Sequence, residues 1–330
     1  MAGERNGPPV VGIDLGGTKI LAAVVAADNT LLGRAKVATP ANEGAAAILR
    51  AIVSCVDAAL ADAGLGLGRG AIEAAGIGAP GPLDLETGVI LFSPNLNVRD
   101  FALGPDLSDA LRCPVLVQND VRVGGYAEFR LGVGRGSRDL IAAFVGTGIG
   151  GCLISRGQIV SGTTGNAGEI GHIVVKAGGP RCGCGALGCL EALASRTAIN
   201  RRINKAIRKG TPTILRDKLV GKGGRLKSGQ LAEAVAAGDQ VAVKAVSRAA
   251  HYLGLGLGSL INVFGPEIVI IGGGVAQALG EPWIAQVRAV ARAQALVDRD
   301  AKIRIEPAAL GDDAGILGAA LLARERFVPA

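Results

Sequence analysis

Two stretches of the chain share one pattern of apolar and polar positions. In residues 10–38, VVGID meets Gly16-Gly17-Thr18, followed by KILAAVVA, a turn at Asp28-Asn29, and LLGRAKVAT. In residues 139–160, LIAAFV meets Gly146-Thr147-Gly148, followed by GCLIS, a turn at Arg156-Gly157, and QIVSG. Short apolar runs punctuated by glycine predict strands joined by tight turns. The recurrence predicts two related lobes, with one Gly/Thr turn from each facing a shared cleft.

Helical periodicity follows each of these strand segments. Residues 44–63 carry apolar side chains at helical spacing and stop at Gly64. Further helices are expected over VRVGGYAEFRLG, over most of 192–209 and 229–260, and over 312–328. Between them, IEAAGIGAP predicts a strand ending at a Gly81-Pro82 turn. VLVQND (115–120) predicts a strand ending in two polar residues, and EIVIIGGGV a buried strand running into Gly272-Gly273-Gly274. Strands alternating with helices imply an α/β fold with helices flanking mixed sheets.

Composition narrows the setting. A chain of 330 residues has room for two lobes with ample core, and 52 glycines with 3% aromatics suit close-packed elements and tight turns. The most apolar regions, around 140–154 and 252–280, are interrupted by Gly, Asn262 or Glu267, so no membrane span is expected. No apolar signal segment is visible at the N-terminus. Clustered thiols in such a chain point to a reducing, cytoplasmic setting and to metal binding rather than disulfides. Cys55, Cys113 and Cys152 sit in apolar surroundings and are expected to be buried.

Charge is concentrated. Between Lys205 and Lys227 there are eight Lys or Arg and one acid, Asp217, which equals the whole net charge of +7. Such a window can bind anions, and its plainer reading is a solvated helix end and loop. No aromatics interleave with these charges, which argues against a nucleic-acid partner.

The candidate chemistry lies in a few short segments. His172, Cys182, Cys184 and Cys189 form a His-x9-Cys-x-Cys-x4-Cys array, bracketed by Glu169 and Glu191. Imidazole and three thiolates are the donors of a closed tetrahedral zinc site, so the metal is expected to be structural. Its expected task is to fix the loop holding the two glutamates, with the second ring nitrogen of His172 available to a ligand. Asp14, Gly16, Gly17, Thr18 and Lys19 make a strand-ending turn in which glycines admit phosphate to the backbone amides and Thr and Lys add donors. Gly146, Thr147 and Gly148 offer the same on the repeat. Gly272, Gly273 and Gly274 form a third permissive turn that lets a nucleoside lie against the backbone. Asn119 and Asp120 end a strand, where ligands gather in α/β folds. Asp120 there has two compatible readings, proton acceptor from a substrate hydroxyl and N-cap of the following helix.

Together these segments resemble the ROK family of sugar kinases and repressors, over about residues 10–325. IDLGGTK and GTGIGG look like its two phosphate motifs, IGGGV like its adenosine motif, and GAPGP, SPNL and QND like its sugar-side segments. GEIGH with CGCGALGCLE looks like its signature. The resemblance implies the actin-like, hexokinase-type ATPase fold: two lobes, a duplicated β-β-β-α-β-α core and a cleft between them. The expected lobes are 1–121 with 312–330, and 122–311 carrying the zinc-binding loop. It implies an ATP-dependent hexose kinase, most like a glucokinase, using Mg²⁺ and a structural Zn²⁺ and assembling as a homodimer or homotetramer. Asp120 would be the base, and Gly81, Asn95, Asn119, Glu169, His172 and Glu191 would surround the sugar. Asp14 would help hold Mg²⁺. The chain departs from the family at Gln118, at Val121-Arg122-Val123 and at Asn97-Val98-Arg99, which bears on the choice of sugar. Kinases for mannose, fructose, allose or an N-acetylhexosamine, and polyphosphate as donor, are the neighbouring readings. A sugar-responsive repressor is the reading from another class, and the 13 residues before Asp14 are too few for the helix-turn-helix domain it would need.

Overall fold

The computed structural model describes residues 7–65, 72–219, 225–296 and 302–328. Residues 220–224 of the basic window, with Lys222, lie outside the described residues. The chain divides into two compact units. The first holds the described residues through Leu131, the segment Ser161–Ala167 and the residues from Asp312 onward. The second holds Gly132–Val160 and Gly168–Gly311.

In the first unit, β1 (Val10–Leu15), β2 (Lys19–Val25) and β3 (Leu31–Ala38) form an antiparallel meander. Helix α1 (Ala45–Asp62) buries Ile48, Ile52, Cys55, Val56, Ala59 and Leu60, the stripe its periodicity predicts. It ends as expected before Gly64, where the backbone turns to φ +69°. Strand β4 (Ala75–Ala79) is followed by a small antiparallel sheet of β5 (Leu83–Asp84), β6 (Val89–Ser93) and β7 (Val98–Phe101). After α2 (Leu103–Leu111), β8 (Val115–Asn119) leads into α3 (Asp120–Arg130). The main sheet has the order β3-β2-β1-β4-β8, with β4 parallel to both β1 and β8.

The chain's last helix, Asp313–Phe327, lies directly on this sheet. A Cβ at Gly12 would stand 1.8 Å from the Ile316 carbonyl oxygen, and one at Gly76 would stand 2.0 Å from that of Ala319. The two glycines lie side by side in the β1–β4 register, so the helix backbone seats in a shallow saddle that a side chain would fill. The helix also grips α3, where Glu325 accepts from Tyr126 Oη at 2.5 Å and from Arg130. This packing keeps α3 in the first unit, which therefore runs ten residues past the expected boundary at 121.

The second unit repeats the plan. Strands β9 (Leu140–Val145), β10 (Ile149–Ser155) and β11 (Gln158–Ile159) form a meander, and a 3-10 turn covers Ile170–His172. Helices α4 (Leu190–Ala194), α5 (Arg196–Arg208), α6 (Arg216–Leu219), α7 (Ser228–Ala236) and α8 (Gln240–Phe264) precede β12 (Ile268–Gly272), α9 (Gly273–Gln294) and β13 (Arg304–Pro307). The sheet order β11-β10-β9-β12-β13 matches the first sheet strand for strand, again with the last three parallel. Helix α9 kinks at Gly280 (φ +65°), and Pro282 then begins its second segment, where a missing N–H costs nothing. Among the described residues no helix is long and apolar enough to cross a membrane. Cys55, Cys113 and Cys152 are buried, as expected.

The saddle makes a direct prediction. Gly76→Ala forces the last helix off the sheet and should cost about 2–3 kcal/mol, the scale of core overpacking. Urea unfolding measures it, and a loss within 0.5 kcal/mol, roughly the noise of a surface substitution, would contradict the backbone contact.

Candidate active site

The chemistry-bearing residues of the first unit gather at one edge of its sheet. In the parallel register Asp14 pairs with Gly78, Gly78 with Gln118, and Ala79 with Asn119. Asp14 and Asn119 thus end strands two places apart, about 10 Å at ordinary strand spacing. The C-terminal edge of parallel strands is where α/β folds bind ligands. Gly78 lies under the start of α3, where a Cβ would come 2.6 Å from Val123 and 3.3 Å from the Asp120 Cα.

Asn119, not Asp120, is the N-cap of α3. Its Oδ1 accepts from the amides of Val121 at 3.0 Å and Arg122 at 3.2 Å, and Asp120 is already the first helical residue. Asp120 Oδ1 accepts from the Val121 amide at 2.9 Å. The cap thereby fixes the orientation of the carboxylate that follows it. Gln118, one of the departures from the family pattern, accepts the Asn119 amide through its side chain at 2.9 Å. Arg122, another departure, is 2% exposed and donates to the carbonyls of Gly165 and Ala167. It ties the segment Ser161–Ala167 to the first unit, two residues before Glu169.

The first Gly/Thr turn joins β1 to β2, with Leu15 paired to Ile20 across it. The Gly16 amide donates to the Lys19 carbonyl at 3.0 Å, and Thr39 Oγ1 donates to the Gly16 carbonyl at 2.6 Å. The amides of Gly17 and Thr18 have no acceptor among the described residues. Gly17 lies against the Asn95 backbone, whose carbonyl oxygen would be 2.9 Å from a Cβ there. Asn95 itself belongs to the loop after β6, which runs past Gly81 (φ +109°) where a Cβ would strike the Phe92 carbonyl. Lys19 Nζ donates to Asp312 Oδ2 at 2.8 Å. Burial pushes the Asp14 carboxyl up, Lys19 pulls it down and Asp312 pushes it up further. A buried carboxylate with a second acid nearby is a place where a hard divalent cation lowers the energy.

The second turn is one residue shorter, with Val145 paired to Ile149. Its Gly146 amide donates to the Gly148 carbonyl at 2.9 Å. Two residues hold it that the sequence did not mark for this purpose. Arg196, the first residue of α5, donates from Nη2 to Thr147 Oγ1 at 2.6 Å and from its amide to the Gly146 carbonyl at 3.0 Å. It directly follows Ser195, the N-cap of α5. Glu191, expected at the sugar, accepts the Ile149 amide through Oε2 at 2.9 Å, and a Cβ on Gly148 would come 2.2 Å from that oxygen. Beside this turn, Gly272 caps α9 and Gly273 (φ +84°) fits its backbone against Val145. A glycine-opened helix N-terminus next to an open turn suits phosphate and the nucleoside behind it.

The four residues of the array come together. The donor atoms of His172, Cys182, Cys184 and Cys189 all lie within 4.8 Å of one another. Cys182 Sγ is 3.7 Å from His172 Nδ1, and Cys184 Sγ is 3.7 Å from Cys189 Sγ. A zinc–sulfur bond of about 2.3 Å gives a tetrahedron whose edges are about 3.8 Å, so the spacing fits. Burial and the neighbouring sulfurs push Cys189 up to about 12, while burial pushes Cys182 up. Thiols crowded in this way need a cation before all three ionise. Glu191 Oε1 lies 3.8 Å from Cys182 Sγ, which links this loop to the second turn. Glu169 is exposed and its carbonyl accepts the His172 amide at 3.0 Å. His172 turns Nδ1 to Cys182 Sγ, so Nε2 lies on the opposite edge of the ring.

Known proteins match this arrangement over nearly its full length. The sequence profile of the ROK family matches residues 10–326. The glucokinase of Halalkalibacterium halodurans is 34% identical over 319 residues, 96% of this chain and 95% of that protein. The ROK hexokinase of Thermus thermophilus superposes with a TM-score of 0.80 at 36% identity, covering 96% of this chain and 98% of that one. A ROK family glucokinase from Streptomyces griseus, in complex with glucose and AMPPNP, gives 0.81 at 35% identity, covering 96% and 99%.

Arg122 supplies the test of this local architecture. Arg122→Ala leaves two half-buried carbonyls without their charged donor and should destabilise the protein by about 1–3 kcal/mol. Arg122→Lys should recover only part of that, because one ammonium lacks the planar fork. Thermal or urea unfolding of both variants measures the difference.

Proposed function

We infer that this chain, which belongs to the ROK family, is a sugar phosphotransferase that moves the terminal phosphoryl group of ATP onto a hexose, with glucose as the favoured acceptor. The observation that carries the reading is the shared sheet edge of the first unit, where Asp120, oriented by the Asn119 cap, ends up two strands from Asp14 and the first Gly/Thr turn.

The roles follow from chemistry. Asp120 would accept the proton of the sugar 6-hydroxyl as that oxygen bonds to phosphorus and the bond to ADP breaks. The open amides of Gly17 and Thr18, with Lys19 beside them, would take phosphate oxygens. The Gly146-Thr147-Gly148 turn, with Arg196 at Thr147, would take others, and charge stabilisation of this kind is the main catalytic term in phosphoryl transfer. Mg²⁺, held near Asp14, would supply neutralising charge on the phosphates. Gly272, Gly273 and Gly274 would leave room for the nucleoside. Asn95, Asn119, Glu169 and His172 would hydrogen-bond sugar hydroxyls, with Gly81 shaping the wall. Glu191 would act on the sugar side while holding the second turn. Zn²⁺ on His172, Cys182, Cys184 and Cys189 would be structural, fixing the loop that presents Glu169 and Glu191. Assembly as a homodimer or homotetramer belongs to the same reading.

A coupled assay across glucose, mannose, fructose, allose and N-acetylhexosamines, with ATP and polyphosphate as donors, tests the assignment. The largest kcat/KM is expected for glucose with ATP, and absence of turnover with every sugar would favour a regulatory protein. Asp120→Asn should lower kcat by about 10²–10⁴-fold, the range for a lost general base, with sugar binding retained. Full activity in that variant would remove the base. Elemental analysis should find zinc in the wild type and lose it in Cys184→Ala; a zinc-free wild type would refute the metal site.

A further inference from the structure

The second unit carries a cation-lined depression that the reaction above does not use. Its volume is about 630 Å³, and it is lined by Arg201, Arg202, Lys205, Arg208 and Lys209 of α5 and its C-cap. Positions 201, 205, 208 and 209 fall on one helical face, where like charges at this spacing repel. None of the five has an acidic partner among the described residues. Arg248 of α8 adds a sixth cation. Its guanidinium and that of Arg202 lie 5.5 and 5.9 Å from the centre of the Tyr252 ring.

Structural duties explain part of this. Arg201 and Arg202 each donate one N–H to the carbonyls that end α4, at Ala192 and Leu193. Lys205 and Arg208 stand in the last turn of α5, where the helix dipole favours cations. Neither duty accounts for Arg202 Nη1, which is buried without a partner among the described residues. Burial, with Arg248 and Arg201 nearby, depresses the Arg202 guanidinium to about 10. Cations gathered at this cost to the free protein fit an anion that satisfies them together.

We propose that this face of α5 binds an oligophosphate through the guanidinium groups of Arg201 and Arg208 and the ammonium groups of Lys205 and Lys209. Guanidinium matches phosphate oxygens in pairs. The stripe from 201 to 209 is about 12 Å long at helical rise, longer than a single phosphate group. A phosphomonoester offers the same chemistry at one end of it.

The site concerns binding, so it stands or falls apart from the kinase reading. Titration calorimetry of tripolyphosphate into the full chain, with a non-hydrolysable ATP analogue present to occupy the Gly/Thr turns, counts it. The wild type should bind, and Lys205→Gln/Arg208→Gln/Lys209→Gln should lose at least tenfold in affinity, with unchanged circular dichroism and turnover. Lys205→Arg/Lys209→Arg should keep the affinity. Glucose 6-phosphate binding as tightly as tripolyphosphate would assign the site to phosphomonoesters. Sulfate binding equally well would mean an adventitious ion only and overturn the proposal. So would no binding, or equal affinity in the triple glutamine variant.

Discussion

The contact between the chain's last helix and the first sheet sets the geometry of everything at that sheet's edge. It is a backbone contact: the Ile316 and Ala319 carbonyls rest where side chains of residues 12 and 76 would be. The same helix meets Asp14 at Gly315, where a Cβ would stand 3.0 Å from the Asp14 carboxyl carbon, and meets Val123 of α3 at Gly318. One rigid element therefore fixes the strand bearing Asp14, the strand beneath Asp120 and the helix that Asp120 begins. Interiors packed this tightly transmit a shift of one element to its neighbours. The distance from Asp14 to Asp120 is thus a property of helix packing rather than of either loop.

In the second unit a carboxylate does the comparable work. Glu191 spans from the Ile149 amide to Cys182, joining the second turn to the Cys/His loop. Helix α4, which carries it, is only five residues long, too short to be stable alone. Its last carbonyls are taken up by Arg201 and Arg202, and Ser195 both ends it and caps α5. A group on so short a helix is positioned by its tethers. Turn, loop and α5 consequently share one strut, and disturbing any of them moves the carboxylate.

What the sequence revealed divides by range. The strand meanders, α1 with its stop at Gly64, and the Cys/His array were all legible because spacing within a few dozen residues carries them. The Asn119 cap was read one residue late, since Asn and Asp are equally good caps and only the helix start decides. The partners of the site were not legible. Lys19 reaches Asp312 across 293 positions, and Ile149 reaches Glu191 across 42. Arg122 holding Gly165 and Ala167 is of the same kind, a side chain whose acceptors are bare carbonyls with no sequence signal. The extension of the first unit to Leu131 follows from α3 packing on the last helix, again a pairing from opposite ends of the chain.

These partnerships bear on the phosphate-binding role proposed for the two turns. A lysine after a glycine turn reads as a direct phosphate ligand, yet the Lys19 ammonium is engaged by Asp312, which it also holds below the usual carboxylate range. The first turn is left with the amides of Gly17 and Thr18 as its open donors, while the second has a guanidinium at Thr147. Amides keep their direction whatever the charge around them, and the solvent-exposed Lys19–Asp312 pair is weak enough for an incoming anion to compete for the ammonium. Phosphate arriving at the first turn would release Asp312 close to Asp14, where two carboxylates then share one region. That is the arrangement a divalent cation stabilises most. On the phosphotransferase reading, the Lys19–Asp312 pair of the free protein would give way to phosphate on the first turn and Mg²⁺ near the two acids.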